Sequence, residues 1–235
     1  DRGGSGGGGE KPQDRNPCAK AKSITTNSNI KDNVAALKEK SKVPGESFFK
    51  VKADGTTSNV TSGDNNSSSI GSMDGYMGNY HNHTPNGIKI FSVQDIMTLF
   101  SVINNSPSSM TNDIFKGVVG SNPCATCPDG YEYFDYMITF NGTYAEAQAI
   151  SNMPFDKITL EKNYQMRDAE MKQFSQYSDN GKYLNNNGLE KLFFEALKDM
   201  GIDKSKMNLQ RIDNNGNVSN VTTNSYGNPQ AIPCN

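Results

Sequence analysis

The chain has 235 residues, which is enough for one substantial domain or for one domain with an appendage. Hydrophobic residues make up 34% of it and Trp is absent, so the apolar core must be concentrated in a few elements joined by long polar loops. The formal net charge is −2, with Lys and Arg interspersed among Asp and Glu, and this lack of a basic stripe argues against a nucleic-acid partner.

The chain begins with a polar segment rich in glycine. We expect residues 1–16 to form a flexible tether. A tether of this kind suits an exported protein held to a membrane by a lost N-terminal anchor, an effector domain that follows a larger polypeptide, or an expression linker. The first alternative predicts an extracytoplasmic location: the cell surface, the periplasm or the medium.

Apolar periodicity and turn residues predict the next elements. A short helix contains Ile30, Val34 and Leu37, and it must end before the proline and glycine of residues 43–45. A strand follows over residues 47–51. The stretch from Thr56 to Ser72 has almost no apolar content and is predicted to be a loop.

The following elements are predicted to complete a core at residues 17–150. They comprise a strand over residues 76–80, a helix over residues 92–104, a strand around residues 118–119, and its hairpin partner over residues 133–140.

A second region, residues 151–235, is predicted to pack on this core as an extension. Its elements are a helical stretch over residues 157–177, a helix around residues 189–200, and a hairpin of residues 207–212 and 218–222 around a turn at residues 214–216. The predicted fold class is therefore α/β, with a C-terminal helix and β-hairpin extension.

Four cysteines are present, namely Cys18, Cys124, Cys127 and Cys234. Their even number is compatible with disulfides in an oxidising compartment, but four cysteines allow three connectivities. A bond between Cys18 and Cys234 would tie the chain ends together, and one between Cys124 and Cys127 would close a tight loop. Reduced structural thiols are equally compatible with the sequence.

The only two histidines of the chain, His81 and His83, lie two residues apart at the end of a predicted strand. On a strand, residues i and i+2 point to the same side, so both imidazoles can approach one ion. Zinc prefers such nitrogen ligands together with a carboxylate, and a catalytic site keeps one position open. Asp95, in the first turn of the next predicted helix, is the candidate third ligand.

His81, His83, Ser92 and Asp95 together resemble the signature of JAMM (JAB/MPN) metallopeptidases, in which a His-x-His pair is followed by Ser-x-x-Asp. Eight residues, 84–91, separate the two halves, one more than is usual in the family, and a proline expected directly after the second histidine comes one place late. A single loop insertion explains both shifts. The resemblance covers roughly residues 30–105, and it extends to exported or toxin-associated bacterial JAB-like proteins.

The resemblance implies a JAB/MPN-like mixed central sheet flanked by helices. It also implies a zinc-dependent hydrolase that cleaves a peptide or isopeptide bond of a protein or peptide substrate. Glu46, or Glu39 as a fallback, would move the proton between water and the leaving amine. Ser92 would donate a hydrogen bond to the tetrahedral oxyanion.

Other interpretations of the same residues remain open. Ser92 and Asp95 also form the pattern of a helix capping box. A JAMM-like module without activity would keep the metal ligands but lack a carboxylate facing the water. A zinc deaminase is a third alternative, since Cys124 and Cys127 match half of its signature, although the sequence has His83 where that signature needs glutamate.

Overall fold

The computed structural model describes residues 16–63 and 71–235. The predicted tether falls almost entirely outside the described residues, and so does the segment 64–70 of the predicted polar loop.

A single mixed sheet of eight strands forms the centre of the described fold. The strands are β1 (Ser47–Lys52), β2 (Thr61–Ser62), β3 (Tyr76–Asn82), β4 (Phe115–Pro123), β5 (Tyr131–Phe140), β6 (Met207–Ile212), β7 (Val218–Thr223) and β8 (Pro229–Pro233). Their order across the sheet is β2-β1-β3-β4-β5-β6-β7-β8. Only the β3–β4 pair is parallel; the other neighbouring strands are antiparallel.

Six α-helices and two short 3-10 helices surround this sheet within the described residues. The α-helices are α1 (Pro17–Thr25), α2 (Ser28–Lys40), α3 (Val93–Asn104), α4 (Tyr144–Ser151), α5 (Lys157–Met171) and α6 (Asn186–Asp199), and the 3-10 helices are Ser108–Met110 and Lys204–Lys206. Helices α1 and α2 share a hydrophobic core with one face of the sheet, and α3 to α6 share another core with the opposite face. The predicted α/β class with a mixed sheet flanked by helices is thus confirmed.

Strand β4 shows why the sheet is covered on both faces. Val118 belongs to the core under α3 to α6, whereas its neighbour Val119 belongs to the core under α1 and α2, and both are fully buried. Successive side chains on a strand point to opposite faces, so a strand with apolar residues at consecutive positions needs cover on both sides.

The C-terminal elements continue the same sheet and help to support α3. Strand β6 hydrogen-bonds to β5, and the Tyr164 hydroxyl of α5 donates to the carbonyl of Phe91 at 3.0 Å. Phe91 also makes an edge contact with Phe193 of α6, with 6.2 Å between the ring centroids. The segment just before α3 is therefore held by residues far along the chain.

Two disulfides are present, Cys18–Cys234 and Cys124–Cys127. The first joins α1 to the residue after β8, and the second closes the turn after β4. Both are among the pairings that the sequence left open, and paired cysteines are typical of an oxidising, extracytoplasmic environment. None of the described helices is long and apolar enough to span a membrane.

Asp135 of β5 is a buried carboxyl group on the face covered by α2. Its Oδ2 lies 4.0 Å from Lys38 Nζ, and its Oδ1 has no hydrogen-bond partner among the described residues. Burial raises the pKa of Asp135 to about 7, although the charge of Lys38 acts in the opposite direction. The carboxyl group is therefore easier to protonate in the folded state than in the unfolded chain.

Replacing Asp135 by Asn should stabilise the protein in a pH-dependent way. Because the folded pKa of Asp135 lies above the unfolded value of 3.8, its favourable contribution is complete below about pH 4 and is lost as the pH rises through 7. The advantage of Asp135→Asn over the wild type should grow across this window by up to about 4 kcal/mol. Urea denaturation at pH 4, 5.5 and 8 measures it, with the exposed Asp32→Asn as control, and an advantage that does not change with pH would contradict the assignment.

Candidate metal centre

The end of β3 places the two histidines on the face of the sheet that α3 covers. His81 is 3% exposed and pairs in register with Val118 of β4 and Phe48 of β1. His83 follows the strand, and its backbone N–H donates to the carbonyl of Val119 at 2.8 Å. The backbone of His81 is thus held between β1 and β4, and that of His83 is held by β4.

The start of α3 turns Asp95 back toward the histidines. Ser92 is the N-cap of α3; its backbone N–H and its hydroxyl donate to Asp95 Oδ2 at 2.9 and 2.8 Å, and its Oγ accepts from the Asp95 N–H at 3.1 Å. The capping-box interpretation of these two residues is therefore confirmed. The same capping geometry also holds the carboxylate in place for the site.

His81, His83 and Asp95 form a compact group of ligand atoms. His81 Nε2 lies 3.2 Å from Asp95 Oδ1, and His83 Nε2 lies 3.4 Å from Asp95 Oδ2. The two Nε2 atoms are 3.1 Å apart, and one potential ligand atom from each of the three residues lies within 4.8 Å of the others. The structure thus brings together the three residues that the sequence predicted as metal ligands.

The second ring nitrogen of each histidine determines which way its lone pair points. His81 Nδ1 lies 3.0 Å from the Gly117 carbonyl, and His83 Nδ1 contacts the Ile88 carbonyl. A carbonyl oxygen only accepts, so each Nδ1 must carry a proton, and a neutral ring then has its lone pair on Nε2. Two such lone pairs converge beside a carboxylate, an arrangement that requires a proton or a cation between them.

Charge and burial act differently on the three groups. Burial lowers the pKa of His81, and Asp95 opposes this only in part. Burial also acts to lower the pKa of His83, but the hydrogen bond and the charge of Asp95 outweigh it and raise that pKa. Burial acts to raise the pKa of Asp95, yet His81 and Lys116 hold it well below its usual range. Asp95 is therefore a carboxylate at neutral pH.

Glu46 stands beside this centre. It precedes β1, and extension of the register Phe48 to His81 by two residues places it next to His83. Its charge contributes to the raised pKa of His83, and it lines the same cleft as both histidines. Glu39, the fallback, lies on α2 over the opposite face, where its carboxylate pairs with Lys42 at 2.8 Å.

Asn82, the residue between the two histidines, positions the backbone around Glu46. Its side-chain Oδ1 accepts from the Ser47 N–H at 2.9 Å, and its Nδ2 donates to the Gly45 carbonyl at 3.1 Å. Asn82 is fully buried, so these bonds are sheltered from water. This role could not be predicted from the sequence, since an asparagine between two histidines has no distinctive spacing.

The centre opens into a cleft of about 950 Å³. One wall is the outer side of α3 and the other is the segment 71–76 that leads into β3. The α3 wall is formed by Gln94, Thr98, Ser101 and Val102, together with Asn105 directly after the helix. Apart from Val102, these side chains carry uncharged hydrogen-bonding groups, of which the Thr98 hydroxyl donates to the Gln94 carbonyl at 2.7 Å and the Asn105 amide to the Ser101 carbonyl at 2.8 Å.

The loop over residues 84–91 is held by one buried lysine. Lys89 Nζ donates to the carbonyls of Thr84, Pro85 and Gly87 at 2.7, 2.8 and 2.7 Å. Burial lowers the pKa of Lys89 to about 8, which leaves it charged at neutral pH. Gly120 leaves room for its stem, since a Cβ at that position would lie 2.7 Å from Lys89 Cδ. The longer loop is therefore an ordered support for His83.

Cys124 and Cys127 take no part in the centre. They are bonded to each other at the end of β4, so neither is a free thiolate, and the group of candidate ligands among the described residues contains neither of them. The structure gives no support to the zinc-deaminase alternative.

No family model matches this chain, and neither the curated proteins nor the solved structures gave a match. The resemblance to JAMM metallopeptidases therefore rests on the motif, and the geometry of the centre has to be judged by its own chemistry.

Replacing Lys89 by Met should loosen the loop and weaken metal binding. Loss of the ammonium removes the partner of three carbonyls, and a buried unsatisfied carbonyl costs about 1 to 3 kcal/mol, so we expect a destabilisation of about 2 to 4 kcal/mol after partial rehydration. Zinc affinity should fall roughly tenfold, because supporting residues orient a ligand. Thermal denaturation and zinc titration measure both, with the exposed Lys162→Met as control. Unchanged zinc affinity would show that the loop does not support His83.

Proposed function

We propose that this chain is a zinc-dependent hydrolase of the JAMM type that cleaves a peptide or isopeptide bond. The observation that supports this most directly is the convergence of His81 Nε2, His83 Nε2 and the Asp95 carboxylate in an open cleft that Glu46 also lines. Two imidazole nitrogens and one carboxylate oxygen are a donor set that zinc favours in catalytic sites.

The residues present fit a zinc ion. Both Nδ1 atoms are committed to backbone carbonyls, which orients the Nε2 lone pairs toward a common point. The candidate ligand atoms lie 3.1 to 3.4 Å from one another. Lys116 opposes a cation, because its Nζ lies 3.1 Å from Asp95 Oδ1.

Glu46 is the residue to which we assign proton transfer. Zinc, when bound, would lower the pKa of a water at the centre to about 7. Glu46 would accept the proton of that water and return it to the leaving amine, a role for a carboxylate that lies near the reacting atoms without ligating the metal. The hydrogen bonds of Asn82 to Gly45 and Ser47 hold the backbone on either side of Glu46.

The substrate that we assign is a protein or peptide, since uncharged amide and hydroxyl groups line the α3 wall of the cleft. We also place the protein outside the cytoplasm, at the cell surface, in the periplasm or secreted, because both disulfides need an oxidising compartment. A membrane tether at the N-terminal side agrees with that location.

The first test of this function is metal content. The wild type should bind about one equivalent of zinc, and His81→Ala or His83→Ala should abolish binding because each removes one of three ligands. The double variant Cys124→Ser with Cys127→Ser is the control and should retain zinc, with at most a loss of thermal stability. Elemental analysis after dialysis measures the zinc content of each variant. Full zinc retention when His81 and His83 are both replaced by Ala would refute the centre.

The second test separates metal binding from catalysis. Glu46→Gln keeps the shape of the side chain but cannot accept a proton, so zinc should stay bound while peptide hydrolysis falls by roughly a hundredfold or more. Mass spectrometry of a peptide mixture incubated with the zinc-loaded protein measures hydrolysis, and Glu39→Gln is the matched control.

Full activity of Glu46→Gln would exclude Glu46 as the proton carrier. A wild type that binds zinc but cleaves nothing would instead favour the inactive JAMM-like binding module.

A further inference from the structure

Lys116 of β4 is a charged group at the centre that the proposed chemistry has not yet used. Its side chain is 3% exposed, and its Nζ donates to Asp95 Oδ1 at 3.1 Å. It also lines the cleft, next to His81 and Asp95. A lysine that is almost completely buried needs a compensating charge, and Asp95 supplies only part of its hydrogen bonding.

The ammonium of Lys116 has unused donor capacity. It carries three N–H groups, and the bond to Asp95 is its one hydrogen bond to a side chain or carbonyl of the described residues. Its cross-strand neighbour Asn79 is 1% exposed, and both of its amide atoms lack a partner in the described part of the chain. Lys116 lines the cleft, so a ligand there can accept from its remaining N–H groups, whereas Asn79 is not one of the residues that line the cleft.

Ser92 is less free to serve a ligand. Its hydroxyl proton is directed to Asp95 Oδ2 at 2.8 Å, and its Oγ already accepts from the Asp95 N–H. To donate to an oxyanion, Ser92 would have to give up a bond that fixes a metal ligand. Lys116 can donate to a ligand and keep its bond to Asp95.

We propose that Lys116 is the oxyanion-binding group of this centre, a cationic donor for the negatively charged oxygen of a tetrahedral ligand. This inference rests on the proposed hydrolytic function. When water adds to the substrate carbonyl carbon, the electron pair of the C=O π bond moves to the oxygen, and Lys116 donates a hydrogen bond to it. The oxyanion then re-forms the carbonyl, the C–N bond breaks, and the amine leaves with the proton that Glu46 returns.

The position of Lys116 predicts two opposite effects of removing its charge. Its ammonium competes with a metal cation for Asp95 Oδ1, so a neutral residue should leave zinc affinity unchanged or increase it. The same change removes a donor for an anion, so the affinity for a tetrahedral oxyanion should fall. A residue that only supported the fold would not separate the two affinities in this way.

The experiment uses the zinc-loaded full chain and inorganic phosphate as the tetrahedral oxyanion. Zinc affinity is measured first by competition with a chelator, and phosphate affinity is then measured by isothermal titration calorimetry. In Lys116→Met, phosphate affinity should fall roughly tenfold to a hundredfold, which is the typical contribution of a hydrogen bond to a charged group. Zinc affinity should be equal to that of the wild type or higher. Lys116→Arg should stay within about threefold of the wild type for phosphate, since it keeps the charge. Lys38→Met, on the opposite face of the sheet, is the matched control.

Each result has one interpretation. Unchanged phosphate affinity in Lys116→Met, or no phosphate binding to the zinc-loaded wild type, would overturn the assignment of Lys116 and leave the metal centre intact. Loss of zinc from Lys116→Met would also overturn it, because Lys116 would then be a residue that positions Asp95. Absence of zinc from the wild type would count against the proposed function itself. If Lys116→Met does not fold, the comparison of Lys116→Gln with Lys116→Arg supplies the same contrast.

Discussion

The buried carboxylate of Asp95 is the interaction on which the site depends. It accepts hydrogen bonds from Ser92 and Lys116, and it faces both histidine rings at 3.2 and 3.4 Å. A buried carboxylate is tolerated only where donors and positive charges surround it. Those partners come from the start of α3, the start of β4 and the end of β3, so one negative charge fixes three elements relative to one another.

The sheet topology explains why these elements meet. The β3–β4 pair is parallel, and a parallel pair needs a crossover connection, here made by α3. A crossover helix starts where the first strand ends, so the first turn of α3 must lie close to His81 and His83. The same pairing brings Lys116 and the Gly117 carbonyl alongside His81. The candidate centre thus lies at the carboxyl end of β3, where the chain leaves the sheet toward α3.

Much of this arrangement could be predicted from short-range patterns, and the rest could not. The spacing of His81 and His83 on a strand, and of Ser92 and Asp95 at a helix start, predicted the grouping of the three candidate ligands and the cap. Lys116 could not be found in this way, because its role comes from pairing with a strand more than thirty residues earlier in the chain. The same holds for α1 (Pro17–Thr25), whose two buried residues give almost no periodicity and which a disulfide to the C-terminal end holds in place.

The charges around the centre explain why a buried lysine can lie close to the position where a metal cation is proposed to bind. Asp95 and Glu46 together would balance the two positive charges of zinc, which leaves the charge of Lys116 without a counterpart. A partly buried site with one excess positive charge favours states that add a negative charge. Hydrolysis of an amide passes through such a state when the carbonyl oxygen becomes an oxyanion. The free-energy cost of burying the charge of Lys116 beside Asp95 would therefore be offset most when the substrate carbonyl oxygen becomes negatively charged. A fixed positive charge that interacts more strongly with the transition state than with the ground state lowers the barrier.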